Sequence, residues 1–280
     1  MGIPSIAALT LREALRRRIG IAALVVGGLF LAFQGVGLYL MVSEGPLRNM
    51  STAIPPVVRR QLFTVLSLMG LYATNWLVVL MTVLIAVDTL SGEIASGVMQ
   101  SIAAKPIRRW EVVMGKWLGY AALITVFLPL LAGGVLLENR LILGFSPPNI
   151  PSALALMWLE GMVLLAVTLR AGASLSTMTA GITVLGLHIL AFIGGWIEQI
   201  GTLQDSQMAV NVGVVASLVM PTEAMWRKAA SELQGPLIGG IGSSPFGTTS
   251  VPSAGMVAYA ALYMAVALAW AIRRFSRRDL

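Results

Sequence analysis

The most regular feature of the chain is a series of long, almost uninterrupted apolar runs. A helix that crosses a hydrocarbon core of about 30 Å needs about 20 such residues. Six runs meet this requirement, at 19–42, 64–87, 117–137, 153–169, 173–197 and 255–272. Because these runs are continuous rather than alternating, they predict helices and not the strands of a barrel. We therefore expect an all-α integral membrane protein with six transmembrane helices.

One further apolar run, at 208–220, is shorter than the others. It has 13 residues and contains Asn211, so it is too short to cross a bilayer. It predicts a re-entrant or interfacial helix before span six. The surrounding connection, 198–254, is rich in Gly, Pro and Ser and has the composition of irregular turns. Neither an internal repeat nor a low-complexity linker divides the chain, so residues 1–280 are expected to form one transmembrane domain.

Composition supports a membrane protein and excludes several kinds of chemistry. The 280 residues are 57% hydrophobic and 11% charged, whereas a soluble domain has about 25% charged residues. A net charge of +7 would suggest nucleic acid in a soluble protein, but here it reflects topology, and no nucleic-acid partner is expected. The absence of cysteine and the single histidine exclude disulfides, a cysteine nucleophile and a Cys- or His-rich metal centre. We assign no catalytic or metal-binding residue.

The positions of Lys and Arg predict the orientation of the chain in the cell membrane. With six spans, one side receives the smaller group of six residues: Arg48, Arg59, Arg60, Arg140, Arg227 and Lys228. The other side receives thirteen: Arg12, Arg16, Arg17, Arg18, Lys105, Arg108, Arg109, Lys116, Arg170, Arg273, Arg274, Arg277 and Arg278. Basic residues concentrate on the cytoplasmic side, so both termini are expected there and 198–254 is expected to be extracytoplasmic. A seventh crossing would reverse this arrangement for the basic C-terminus.

The N-terminal residues 1–18 predict an amphipathic helix before span one, best defined over 6–18. Ala8, Leu11 and Leu15 share one face, and Glu13 precedes Arg17 by four residues, a spacing that supports a helix. Such a helix would lie on the inner leaflet as a connector. Alternatively, its arginines only set topology and bind anionic lipid.

The connection between spans two and three, residues 88–116, carries the clearest polar and apolar pattern outside the spans. Leu90, Ile94, Val98 and Ile102 recur every fourth residue and predict an amphipathic helix. Pro106 would end that helix and begin a second one that runs into span three. From periodicity alone, this helical elbow could be an interfacial connector lying on lipid or a surface that docks a partner.

The residues of this elbow resemble a motif of permease subunits of type-two ATP-binding-cassette (ABC) exporters. The motif residues are Asp88, Glu93, Gly97, Pro106, Arg109 and the pair Gly115 and Lys116. The chain departs from many members at 94–95, where they place charged residues, and at 98–99, where they have a Thr-Leu pair. The six-helix layout, the N-terminal helix, the short turn at 170–174 and the outer re-entrant element are also similar. The sequences MPTEAMWRKA and RRFSRRDL resemble members whose membrane subunit is a separate polypeptide, including the permease of the copper-processing Nos system.

The resemblance implies a function for residues 88–116, which we call the coupling segment. Residues 88–104 would be a coupling helix that docks into a nucleotide-binding ATPase subunit. The residues implied in this contact are Asp88, Glu93, Gly97, Pro106, Arg108, Arg109 and Lys116. At such a contact Glu93 would accept charge-assisted hydrogen bonds and Gly97 would permit close backbone approach.

The same resemblance implies which components lie outside this chain. No phosphate-binding loop is present, because Gly115 and Lys116 are followed by Trp117 and open a span. ATP and Mg would therefore be bound by the ATPase partner, and this chain is expected to bind no cofactor and to be no enzyme itself. A second permease subunit, in a homodimer, is expected. The cargo stays open between a substrate that is exported and conformational work on a periplasmic or extracellular partner.

Polar groups inside the spans are candidates for a pathway, because they are costly in lipid. Glu160 in span four and His188 in span five are the ionisable ones, with Asn75 in span two as a polar companion. Glu160 would face the bundle interior, meet His188 or Arg170 across helices, or be protonated. Each of the three could instead serve as a structural interhelical hydrogen-bond partner.

Two other classes of function are alternatives to an ABC permease. An ion-coupled secondary transporter would show matched broken helices in two halves, and no such pair is visible. An intramembrane hydrolase would need a serine beside His188. Ser176 lies 12 residues away, about 18 Å on one helix, so only a serine on another helix, such as Ser67, could serve.

Overall fold

The computed structural model describes residues 2–16, 18–45, 55–95, 108–234 and 250–277. These residues form nine helices and no strand, which confirms the predicted all-α fold. The helices are α1 (Ile3–Arg16), α2 (Arg18–Ser43), α3 (Pro56–Ala95), α4 (Arg109–Ile142), α5 (Ile150–Gly172), α6 (Thr177–Leu203), α7 (Gln207–Val219), α8 (Thr222–Gln234) and α9 (Ala254–Ser276). Within the described residues, six are long and apolar enough to cross a membrane: α2, α3, α4, α5, α6 and α9.

Helix α5 is the centre of the bundle. It packs against α3, α4, α6, α8 and α9, and every residue from Glu160 to Leu169 is buried. A helix that is apolar around its whole circumference must be surrounded by other helices or by lipid. Helix α5 is surrounded by other helices. By contrast, α2 lies at the periphery and exposes a row of large apolar side chains, among them Leu29 and Phe33, as a lipid-facing helix does.

Helix α3 is much longer than the apolar run that predicted it. The run covered 64–87, but the helix continues without interruption from Pro56 to Ala95, a length of about 60 Å at 1.5 Å per residue. Its polar residues beyond the run are accommodated within the helix, because Thr89 and Ser91 donate to the carbonyls of Ile85 and Val87 one turn earlier. The coupling segment therefore begins as a continuation of span two rather than as a separate helix.

Helix α1 packs against the beginning of α4. A Cβ atom on Gly119 would lie 2.8 Å from the carbonyl oxygen of Ala7 and 2.8 Å from the Cβ of Thr10, and one on Gly115 would lie 2.6 Å from the Cβ of Ile6. Glycines one turn apart thus let the two helix backbones approach closely. The predicted N-terminal amphipathic helix is present, over 3–16 where the sequence predicted 6–18, and it packs on span three.

The contacts define two ends of the bundle. We call one the terminal face: it holds α1, the beginnings of α4 and α6, the ends of α3 and α5, and the end of α9, where Arg109 donates to the carbonyl of Ser276. We call the other the hairpin face: it holds the end of α6, the beginnings of α5 and α9, and the turn at 204–206. The six spans connect these two faces alternately.

Helices α7 and α8 form a hairpin that enters the bundle from the hairpin face. Helix α7 runs back along α6, with Ala209 opposite Gly201 and Ala216 opposite Gly194, and the chain then bends by 109° into α8. At the far end of α8, Glu232 accepts a hydrogen bond from Asn149, the residue just before α5. Both ends of the hairpin thus lie at the hairpin face, as expected of a re-entrant element.

Much of 198–234 differs from the irregular connection predicted for 198–254. Span five extends to Leu203, and α8 is a second helix in the hairpin that the sequence did not predict. Helix α8 carries charged residues and has low average hydrophobicity, so no apolar run revealed it. Nine of its thirteen residues are nevertheless buried, because α5 covers one of its faces and α6 another.

Candidate functional site

At the terminal face, the beginning of the coupling segment is hydrogen-bonded to span five. Thr177, the first residue of α6, donates from Oγ1 to Oδ1 of Asp88 at 3.3 Å. The same threonine hydroxyl lies 2.8 Å from the hydroxyl of Ser91. A carboxylate beside the first turn of a helix is also favoured by the helix dipole. The end of α3 is therefore attached to the beginning of α6.

A second set of contacts attaches the same turn of α3 to span three. The hydroxyls of Thr89 and Tyr120 are 2.6 Å apart, and Nζ of Lys116 lies 3.4 Å from the carbonyl oxygen of Thr89. Lys116 is only 4% exposed, so its ammonium group faces the bundle and not the solvent. Asp88 and Lys116, two residues of the predicted docking set, thus lie where three spans meet.

The other predicted coupling residues are placed as follows. Glu93 belongs to the last turn of α3, but its side chain lies outside the described residues, as do Gly97 and Pro106 entirely. Arg108 is exposed and extended just before α4, which begins at Arg109 rather than at Pro106. Arg109 contacts the end of α9 through Ser276.

Within the membrane region, the predicted polar groups fall into two separate pairs. Nδ2 of Asn75 on α3 donates to Oε1 of Glu160 on α5 at 3.1 Å, and both side chains are buried. Nδ1 of His188 on α6 lies 2.9 Å from the hydroxyl of Thr222 on α8. Glu160 therefore faces the bundle interior, as expected, and its described hydrogen bond is to Asn75 rather than to His188 or Arg170.

Arg170 contacts an aromatic ring on α9, whereas the sequence offered it as a partner of Glu160. Its guanidinium lies 4.1 Å above the ring of Trp270 on α9, a cation–π contact. The serines considered as nucleophiles are also engaged elsewhere: Ser67 accepts from Asn139, and Ser176 caps α6 by accepting from the backbone N–H of Thr179. Neither of these contacts includes His188, so the geometry gives no support to a hydrolase.

A cluster of aromatic rings fills the space between α3, α6 and α8. Trp76 lies edge-on to His188 at 5.1 Å and to Phe192 at 5.4 Å, and Tyr72 lies 5.2 Å from Trp226. Such contacts are favourable but only weakly directional. Spans two and five thus meet in the membrane through rings, whereas at the terminal face they meet through hydrogen bonds.

A buried ion pair that the sequence does not reveal lies near the hairpin face. Arg227 on α8 places Nη1 2.8 Å from Oε1 of Glu198 on α6, and its Nη2 donates to Oε2 of Glu198 at 2.9 Å and to Ser217 on α7 at 3.1 Å. Arg227 is 2% exposed. Ser250, just before α9, also donates to Glu198. Residue 198 belongs to the segment predicted as a loop, and no Lys or Arg lies within four residues of it, so the sequence carries no local signal for this pair.

Two tyrosines of span six donate hydrogen bonds to the last backbone carbonyls of α7. The hydroxyls of Tyr259 and Tyr263 donate to the carbonyls of Leu218 and Val219 at 2.6 and 2.9 Å. The last carbonyls of a helix have no partner within it, and a helix end at membrane depth cannot rely on water. These two bonds therefore allow the hairpin to turn inside the bundle.

The described residues contain no group of three or more His, Asp or Glu placed to hold a metal ion. Among curated proteins, a search found no match to this chain. A family model described as "ABC-2 family transporter protein" matches residues 5–280, nearly the whole chain, and confirms the resemblance to type-two ABC permeases. The chain therefore belongs to the ABC-2 family, as a multi-pass membrane permease subunit of an ABC transporter in which nucleotide binding is the task of a partner subunit.

Proposed function

We propose that this permease converts ATP hydrolysis by its partner subunit into movement of span five through the attachment of α3 to α6 at Asp88 and Thr177. The ATPase would dock on the coupling segment around Glu93, and its closure would displace the end of α3. The observation that carries the proposal is the set of hydrogen bonds that join this end of α3 to spans three and five.

The length and continuity of α3 support this mechanism. An uninterrupted helix to Ala95 transmits a displacement along its axis, because its backbone hydrogen bonds do not permit a free hinge. Its last described turns are held by Thr177 on one side and by Tyr120 and Lys116 on the other. A push on the coupling segment would thus act on α4 and α6 together, in a rigid-body rearrangement of the kind used by many transporters.

The proposal includes the orientation and the assembly. The terminal face is cytoplasmic, since most of the Lys and Arg residues that the structure describes lie there, and the hairpin face is extracytoplasmic in the cell membrane. Two copies of the chain form the permease dimer. The work done is export of a substrate or conformational work on an extracytoplasmic partner at the hairpin face.

Replacement of Glu93 tests where the ATPase docks. Glu93→Ala is expected to reduce co-purification with the ATPase subunit and the vanadate-sensitive ATP hydrolysis of the complex, because a charge-assisted contact is lost. Glu232→Ala, the same change at the hairpin face, is the matched control and should alter neither. Unchanged association and hydrolysis in Glu93→Ala would contradict docking at the coupling segment.

A second variant separates docking from transmission. Asp88→Asn keeps the size of the side chain but removes the charge that Thr177 and the beginning of α6 stabilise. In the structure Asp88 contacts α6, which argues for a role in transmission rather than in docking. We therefore expect the ATPase to bind Asp88→Asn as it binds the wild type, whereas the permease should no longer change the rate of ATP hydrolysis as the wild type does. Wild-type regulation in Asp88→Asn would contradict the transmission route.

The orientation has its own experiment, because the chain contains no cysteine. A membrane-impermeant maleimide added to intact cells should label a cysteine at Gln204, an exposed residue of the turn between α6 and α7. It should label a cysteine at Arg108 only after the cells are opened. The reverse pattern would overturn the assignment of both faces.

A further inference from the structure

The end of span four and the end of span six share a basic surface that the transport mechanism does not use. Arg170 in the last turn of α5 lies with its guanidinium 4.1 Å above the ring of Trp270 on α9. Nη1 of Arg170 also donates to the hydroxyl of Ser174 at 3.3 Å. Neither contact neutralises the charge of Arg170, because an indole ring and a hydroxyl are both uncharged.

The Arg170 side chain retains hydrogen-bonding capacity in this position. Its Nε is buried and, among the described residues, has no hydrogen-bond partner. Trp270 is 55% exposed, so the stacked pair lies at the outer surface of the bundle, next to lipid. Arg170 as a whole is partly exposed, so the outer part of its guanidinium, rather than the buried Nε, is the part that can donate to a group that arrives from the lipid side.

More positive charge follows Trp270 on the same face of α9. Arg273, Arg274 and Arg277 lie three, four and seven residues further along the helix, and all three are exposed. Helix α9 contains no acidic residue. Arg109 from α4 adds another guanidinium at the end of this helix, where it donates to Ser276. An exposed tryptophan followed by several arginines places this surface at the level of the lipid headgroups.

We propose that the Arg170–Trp270 stack, together with Arg273 and Arg274, binds the phosphate of an anionic phospholipid in the leaflet at the terminal face. The planar guanidinium matches two phosphate oxygens, the indole holds it in place, and the α9 arginines attract the headgroup charge. The acyl chains would lie along the apolar outer surface of α9, which exposes Val266 and Leu262. The residues proposed to bind the lipid, Arg170, Trp270, Arg273 and Arg274, lie outside the coupling segment, so the inference does not depend on ATPase docking.

The experiment measures lipid binding to the purified, delipidated full-length chain in a neutral detergent. Native mass spectrometry gives the apparent affinity for phosphatidylglycerol and for phosphatidylcholine with the same acyl chains, at constant ionic strength. We expect phosphatidylglycerol to bind at least about tenfold more tightly, since each arginine near a headgroup contributes roughly fivefold. Equal binding of the two lipids would overturn the proposal.

Variants locate the site. The double variant Arg273→Gln/Arg274→Gln should lose about tenfold or more in phosphatidylglycerol affinity, and it concerns exposed side chains whose loss leaves packing intact. Trp270→Phe, which keeps a ring but weakens the cation–π contact, should lose roughly threefold. The matched control is Arg59→Gln/Arg60→Gln near the beginning of α3, which removes the same charge from an exposed, adjacent pair at the hairpin face and should lose less than twofold.

The same measurements identify the outcomes that contradict the proposal. Equal losses in the two double variants would mean that lipid responds only to net charge, and unchanged affinity in Arg273→Gln/Arg274→Gln would exclude the site. Inorganic phosphate is the third arm: it should compete only weakly with phosphatidylglycerol. Displacement of the lipid by phosphate alone at equal concentration would assign the site to a free anion instead.

Discussion

The buried pair of Arg227 and Glu198 offers the sharpest test of how the re-entrant hairpin is held in place. We consider Arg227→Met, which keeps much of the apolar length of the side chain and removes its charge. In the structure, this change removes two contacts to Glu198, at 2.8 and 2.9 Å, and one to Ser217 at 3.1 Å. Glu198 is 6% exposed in the structure, and in the variant it would keep Ser250 as a described hydrogen-bond donor.

The expected loss follows from the charge left behind rather than from the bonds alone. Removing one partner of a buried ion pair costs about 3–5 kcal/mol, because the other charge stays in a poorly solvating environment. The double variant Glu198→Gln/Arg227→Met removes both charges and keeps similar volumes. Its cost should therefore be clearly smaller than that of Arg227→Met, at about 1–2 kcal/mol, so the two substitutions are not additive.

The assay is reversible unfolding of the purified chain in mixed micelles, with hydrogen exchange of the α8 amides as a local readout. Lys228→Met is the matched control: Lys228 is the neighbouring residue, but its 3.9 Å pair with Glu232 is partly exposed, and such pairs contribute about 0–1 kcal/mol. The reasoning is refuted if Arg227→Met is no more costly than Lys228→Met. It is equally refuted if the double variant is as unstable as Arg227→Met.

Two further predictions concern helix packing. Gly119→Ala should destabilise the docking of α1 by about 1–3 kcal/mol, seen as faster tryptic cleavage in α1, because its Cβ would lie 2.8 Å from the α1 backbone. Gly133→Ala on the same helix, with open space around it, should be neutral or stabilising. Tyr263→Phe should cost about 1 kcal/mol and speed hydrogen exchange at the end of α7, because the bond to Val219 is lost. Tyr39→Phe, at an exposed site, should change neither.

The spans could be predicted from the sequence because their signal is local. An apolar run of about 20 residues has few alternatives to a transmembrane helix, and all six runs correspond to helices. The boundaries were less accurate for a physical reason. Thr89 and Ser91 are polar and lower the local hydropathy. Because each donates to a backbone carbonyl of its own helix, α3 nevertheless continues through them.

The partners of the buried polar groups could not be predicted in the same way. Asn75 and Glu160 are 85 residues apart in sequence, and His188 and Thr222 are 34 apart. Each pair forms only because two particular helix faces pack against one another. That packing involves residues far apart in the chain, so no short stretch of the sequence reveals it. The sequence identified Glu160 and His188 as costly residues, but it did not reveal that α8 provides the partner of His188 and of Glu198.

Helix α6 connects these observations, because it carries polar contacts at three levels. Thr177 contacts α3 at the terminal face, whereas His188 and Glu198 both contact α8, at Thr222 and Arg227. Each of these α6 residues lies roughly 15–17 Å along the helix from the next one, at 1.5 Å per residue. Two attachments at different heights fix the orientation of α8 on α6, so these helices should move as one body. At the terminal face α3 meets α6 through hydrogen bonds from Thr177, and deeper in the membrane Trp76 packs edge-on against Phe192. Ring contacts are less directional than a paired set of hydrogen bonds, so they permit more sliding between the two helices. A displacement applied to the end of α3 should therefore move α6 and carry the hairpin with it.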